Sequence, residues 1–328
     1  MTPRCRKLVC CLIGWAVIAC GSQEPVKPTA VPTGAPLPEE GSAAWKKIVE
    51  PRQNQLEKSI AGKKMAIARL PQGTVTMLDL PYVEHPIQSK FPGSGQTLDL
   101  YVPNGKGPFP LIVYIHGGAW KGGNKEKIGA DLATEWVPQG FAIASLSYRF
   151  SYDAVFPGMF QDCIDAVAFL RKHAGQYNLN ADKVGVCGNS AGGHIAALVG
   201  MAMGGNTYAN CEKPVQALVM WCGYGDVTKE TGNMSGGFPH IYPNRAYDPE
   251  IARKISPIYQ IHPGIPPVLA QHGEKDRAVL LAQPRAFVEK LKKDGYDATL
   301  ITYPDYQHDL WKPDVHEAAL AFFKKHLQ

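Results

Sequence analysis

The feature that most restricts the fold is a junction in the middle of the chain. An apolar run at 183–187 passes directly into Gly188-Asn189-Ser190-Ala191-Gly192-Gly193, and a helical pattern continues over 191–203. A strand that becomes a helix within so few residues presses backbone against backbone, so the positions flanking the one larger residue must be Gly or very small. Ser190, at the apex, is then presented above the strand ends near the positive end of the next helix. Such a junction calls for an α/β fold, a mainly parallel central sheet with helices on both faces, and the rest of the chain has that rhythm. Apolar runs at 98–102, 111–115, 141–147, 215–221, 267–271 and 298–303 read as further strands, and helical spacing recurs at 160–173, 284–293 and 315–325. The stretch 226–263, with Gly232, Gly236, Gly237 and several prolines, breaks the alternation and reads equally as a short cap or a surface excursion.

The first 74 residues follow other rules. Arg4, Arg6 and Lys7 precede an apolar run too short to span a bilayer comfortably, the pattern of an export signal over 1–19. Val17-Ile18-Ala19-Cys20 resembles a bacterial lipobox, which implies lipidation of Cys20 and an envelope location, outer membrane or periplasm; ordinary cleavage after Ala19, with secretion, is the alternative. Residues 20–42, rich in Pro, Gly, Ala and Thr, read as a flexible tether. Residues 43–74 form an N-terminal extension of loose helical character with no function to assign, ahead of a catalytic domain at 75–328. With 45% hydrophobic and 19% charged residues, the chain is neither disordered nor a multi-span membrane protein. Its net charge of +5 falls to +2 once the three leader cations are set aside, too little to imply nucleic acid or an anionic membrane surface as a partner. Cys163, Cys187, Cys211 and Cys222 show no C-x-x-C or paired-His spacing, which argues against a zinc site, and three of them lie in apolar patterns suited to buried free thiols.

A serine hydroxyl is a poor nucleophile at neutral pH, so a histidine must take its proton and an acid must orient that histidine. On this fold both follow the serine, at the ends of late strands. The run 267–271 ends in His272-Gly273-Glu274-Lys275-Asp276, which offers Asp276 as the acid, with Asp226 and Glu274 as runners-up. His308 follows 298–303 in a short loop and is the candidate base; His316 and His326 fall in the terminal helix and read as solvated, and His194 as a packing residue. After 111–115 stands His116-Gly117-Gly118-Ala119-Trp120, in which His116 reads as a residue holding the loop.

These four segments, HGGAW, GNSAGG, HGEKD and YQHD, resemble the α/β-hydrolase carboxylesterases related to hormone-sensitive lipase, including carbohydrate and feruloyl esterases, over about residues 79–328. The resemblance implies an oxyanion hole made by the N–H groups of Gly117, Gly118 and Ala191, and acyl transfer from an ester to water through an acyl-enzyme on Ser190, with no metal or organic cofactor. Asp309 stands where the family often has Gly. Short-chain or aromatic acyl esters, including acetyl or feruloyl esters of carbohydrates, are the expected substrates. Trp120, Tyr148, Phe156, Trp221 and Tyr224 adjoin strand ends as candidates for the substrate pocket or for core. Two other functions share the fold: an exopeptidase of the prolyl-oligopeptidase type, which usually carries a large extra domain, and a non-catalytic envelope binding protein, which commonly lacks a triad member.

Overall fold

The computed structural model describes residues 38–202, 213–229, 238–244 and 246–328. The export signal, Cys20, most of the tether, Cys211, and Gly232, Gly236 and Gly237 lie outside the described residues. Two helices, α1 (Ala43–Ile48) and α2 (Glu50–Ile67), come first, and Ser42 caps the former by accepting from the Trp45 N–H. Then follow β1 (Val75–Pro81), β2 (Thr97–Val102), β3 (Phe109–Ile115), α3 (Glu126–Trp136), β4 (Ala142–Leu146), α4 (Gly158–Lys172), β5 (Leu179–Asn189), α5 (Ala191–Gly200), β6 (Ala217–Trp221), α6 (Pro249–Lys254), β7 (Val268–Gly273), α7 (Ala282–Lys293), β8 (Ala298–Tyr303) and α8 (Pro313–Leu327).

The strands make one eight-stranded sheet in the order β1-β2-β4-β3-β5-β6-β7-β8. β2 runs antiparallel to both β1 and β4, and every pair from β4–β3 to β7–β8 is parallel. Alternate side chains of each central strand enter different cores, because successive residues face opposite sides. Val113, Val186, Met220 and Ala270 pack with α4, α5 and α7, whereas Tyr114, Cys187, Val219 and Leu269 pack with α3 and α8. This is the α/β-hydrolase architecture.

The N-terminal extension is docked by charge. Lys125 Nζ lies 2.7 Å from Asp99, 2.6 Å from Asp79 and 3.2 Å from Glu126, and Lys63 of α2 pairs with Asp99 at 2.9 Å and with Glu126. Apart from Asp79 these groups are buried, so each depends on the others for the solvation it has lost. The 226–263 segment is more than a surface excursion in its described parts: Phe238, Ile241, Tyr242, Ala252 and Ile255 are buried in the core on the α4–α5 face. No helix among the described residues is long and apolar enough to cross a membrane. Cys163, Cys187 and Cys222 are buried free thiols, as their apolar surroundings in sequence suggest.

Candidate active site

Parallel register assembles the site. Ile115 pairs with Gly188 and Asn189 with Trp221, so the loop after β3, the junction after β5 and the end of β6 leave the sheet side by side. Ser190 has φ 56° and ψ −121°, a strained conformation for a residue with a side chain, costing about 1–3 kcal/mol that the packing around it must outweigh. That packing is close: a Cβ on Gly192 would lie 2.1 Å from the Ile115 carbonyl oxygen and 2.4 Å from that of His116. The small residues are thus what allows β3 and the junction to lie so near each other.

His308, beyond β8, places Nε2 2.9 Å from Ser190 Oγ and Nδ1 2.7 Å from Asp276 Oδ2. The two oxygens of Asp276 have separate partners. Oδ1 accepts the N–H groups of Ala278 and Val279, at 2.8 and 3.0 Å, which leaves Oδ2 to face the imidazole. Burial raises the Asp276 pKa, but the His308 hydrogen bond and the Val279 amide outweigh it and hold the carboxylate below its ordinary value. Burial lowers the His308 pKa; Asp276 and Cys222 outweigh it and raise the ring above the 6.5 of a free imidazole. His272, buried behind the acid, bonds to the Val279 carbonyl at 3.0 Å and approaches Asp276 Oδ2 at 3.4 Å.

The runners-up are engaged elsewhere. Asp226 accepts from Thr228 and Tyr259, and Glu274 from Thr302. His194 is buried with Nε2 against the Ile255 carbonyl, a packing role. His316 departs from the solvated reading: it is 4% exposed, bonds Glu135 of α3 across 2.9 Å and packs against Trp221 at the end of β6 and Trp311 just before α8. The His326 side chain is likewise mostly covered, at 13% exposure.

The oxyanion loop needs one correction. Among the described residues, the N–H groups of Gly118 and Ala191 meet no hydrogen-bond acceptor, but that of Gly117 donates to Asn189 Oδ1 at 3.1 Å. The same oxygen accepts the Tyr114 hydroxyl at 2.8 Å, so Asn189 clamps β3 and its loop to the Ser190 turn. Two of the three expected amides, rather than all three, are therefore left unengaged. Gly118, at φ 130°, adopts a conformation closed to other residues, and a Cβ there would strike the Gly122 carbonyl at 2.1 Å. His116 holds this loop as expected: it stacks on Tyr148, bonds the Gly117 carbonyl, and is kept neutral by burial with a pKa lowered to about 4.

Beside His308 opens a cavity of about 440 Å³, walled by Ile128, Asn189, Trp221, Leu310 and Trp311. Of the aromatic pocket candidates only Trp221 borders it. Tyr148 is core, donating to the His116 carbonyl, and Tyr224 is wedged between Trp120 and Phe238. Trp120 and Phe156 line a separate narrow apolar recess with His194 and Met159. In the sequence only the polar x position of the G-x-S-x-G turn marks Asn189, and nothing local marks Leu310 and Trp311.

A nucleophile, a base held in one tautomer and two preorganised amides suit acyl transfer, and each amide can contribute about 2.7–4 kcal/mol to stabilising the tetrahedral intermediate. The model of the BD-FAE family matches residues 98–291, more than half of the chain. The chain is 29% identical to "Esterase LipC" of Mycobacterium tuberculosis over 56% of its own length and 49% of that protein's. It is 28% identical to "Esterase LipQ" of the same organism, over 64% and 50%. It spans about half the length of the curated relatives it matches. Among solved structures, a truncated carbohydrate esterase from gut microbiota superposes with TM-score 0.67 at 23% identity, over 78% of this chain and 98% of that one. A bifunctional GH43-CE protein of Bacteroides eggerthii does so with the same TM-score at 26% identity, over 77% and 35%.

Proposed function

The chain belongs to the BD-FAE family, and from that premise we propose that it is a serine carboxylic-ester hydrolase working through an acyl-enzyme. The observation that carries this reading is the unbroken relay from Asp276 Oδ2 through His308 to Ser190 Oγ, at 2.7 and 2.9 Å, beside the unengaged amides of Gly118 and Ala191. Ser190 attacks the ester carbonyl as His308 Nε2 takes its proton. The oxyanion of the tetrahedral intermediate is held by the two amides. His308 then protonates the leaving alcohol, and water deacylates the enzyme by the same steps in reverse.

Short-chain or aromatic acyl esters are the substrates, those of carbohydrates included. Support for the carbohydrate part comes from the likeness to the gut carbohydrate esterase, and for a bulky ester from the aromatic cavity beside His308. The protein is exported and anchored in the bacterial envelope through a lipid on Cys20, a reading supported by the basic-apolar-Cys pattern of its first 20 residues; the intact mass of membrane-extracted protein tests it. Hydrolysis is tested with p-nitrophenyl acetate, longer-chain esters, acetylated sugars and feruloyl sugars, beside Ser190→Ala. Turnover abolished by the substitution is expected. A folded protein without serine-dependent turnover on the whole panel would refute the reading.

A further inference from the structure

Among the described residues, Cys222, Asp276 and His308 form a group in which one donor atom from each side chain lies within 4.8 Å of the others. No local spacing announces it, because the three follow β6, β7 and β8 and meet only through the parallel register. Cys222 leaves β6 at φ 39°, is 1% exposed, and its thiol donates to the His308 carbonyl at 3.4 Å. Thiolate, imidazole and carboxylate together are the donors that Zn²⁺ and Co²⁺ take, whereas Mg²⁺ and Ca²⁺ prefer all-oxygen sites. Since Asp276 Oδ2 already faces His308 Nδ1 at 2.7 Å, Nδ1 is the nitrogen that can share a centre with it. Tetrahedral bonds of about 2.1 Å to N and O and about 2.3 Å to S require Nδ1···Oδ2 to open to about 3.4 Å, with Sγ about 3.6 Å from Nδ1. With the three donors already within 4.8 Å of one another, these are adjustments of about 1.2 Å or less, within reach of a ring shift and a Cys rotamer change. The imidazole is 34% exposed and borders the cavity, so a cation can enter along the ring edge.

We propose that Cys222, Asp276 and His308 form an inhibitory site for a thiophilic divalent cation, which replaces the hydrogen bond between His308 and Asp276. On binding, the thiol proton leaves to solvent and the cation takes the lone pair of Nδ1. The Nδ1 proton is carried by Nε2 instead, so the imidazole stays neutral and the Zn²⁺ charge is balanced by thiolate and carboxylate. Nε2 then presents an N–H to Ser190 Oγ and cannot accept its proton, and turnover stops at the attack step. The effect on turnover rests on the esterase reading above; the binding does not.

The full chain, stripped with EDTA, is titrated with ZnCl₂ during ester hydrolysis, and Co²⁺ binding is followed separately in Ser190→Ala, which keeps all three donors. Inhibition that lowers kcat, leaves KM unchanged, is reversed by EDTA and is absent with MgCl₂ is expected. Cys222→Ala and Cys222→Ser, each measured against its own metal-free rate, should need at least about tenfold more Zn²⁺ for half inhibition. Ser190→Ala should bind one Co²⁺ with a thiolate-to-metal charge-transfer absorption that is lost when Cys222→Ser is added. Equal Zn²⁺ sensitivity in folded Cys222 variants, or no such absorption in Ser190→Ala, overturns the site. A chain without esterase activity leaves the Co²⁺ experiment to decide binding by itself.

Discussion

Replacing Asp276 by asparagine exchanges one oxygen for an NH₂ group, and the surroundings dictate which. The position of Oδ1 receives two backbone N–H groups, from Ala278 and Val279, so an amide nitrogen there would face two donors. The NH₂ must therefore take the Oδ2 position, 2.7 Å from His308 Nδ1, and donate to it. An Nδ1 that accepts obliges Nε2 to carry the proton, and Nε2 is the atom 2.9 Å from Ser190 Oγ. The base is then present in place but in the wrong tautomer. A loss of about 10⁴ in kcat is expected, about 5.4 kcal/mol of transition-state stabilisation, with KM little changed. Fluorophosphonate labelling of Ser190 should slow in parallel, because it needs the same proton transfer, while thermal unfolding reports that the fold is kept. Hydrolysis by a folded Asp276→Asn variant within about tenfold of the parent would falsify the division of labour between the two oxygens.

Three further outcomes are expected. Hydrolysis needs neutral His308, and since its pKa is raised above 6.5, kcat/KM should fall as pH decreases through a midpoint above 6.5; an acid limb centred lower in a pH–rate profile contradicts the Asp276 contact. Gly192→Ala puts a methyl group 2.1 Å from the Ile115 carbonyl, so β3 and the Ser190 turn must separate; urea unfolding should register a loss of about 3 kcal/mol, and an unchanged midpoint refutes the packing argument. Lys125→Met removes an ammonium that pairs with Asp79, Asp99 and Glu126, and should cost about 3–5 kcal/mol by the same measurement, with kcat per folded molecule unchanged.

Much of the site was legible because its chemistry sits where strands end, and strand ends are marked by Gly, Ser, Asp and His after apolar runs. Ser190, Asp276 and His308 could each be picked from such a border, and the positions of β5, β7 and β8 came with them. What escaped depends on partners distant in the chain. The helix α3 does not stand out in the sequence because Glu126 and Asp131, buried on it, break its apolar spacing, and their cations Lys63, Lys125, Arg69 and Lys127 come largely from outside the helix. β1 is obscure for the opposite reason, an edge strand with little burial to impose alternation. Its motif marks Gly117 as a third oxyanion donor, whereas the Asn189 side chain, 72 residues away, accepts its N–H. The cavity wall joins the end of β6 to α3 and the loop before α8, a neighbourhood created only by the sheet order.

The helix α2 bears on how far the amino end can be shortened. Removing residues before Ser42 takes away nothing that reaches the sheet in the described structure, whereas removing everything up to Thr74, where the strand rhythm starts, also removes Lys63. Asp99 and Glu126 would then share the single ammonium of Lys125 with the largely exposed Asp79. A chain that starts at the first strand is left with an excess of carboxylate over ammonium at β2, and a neutral residue at one of those two carboxylates becomes the natural second-site suppressor.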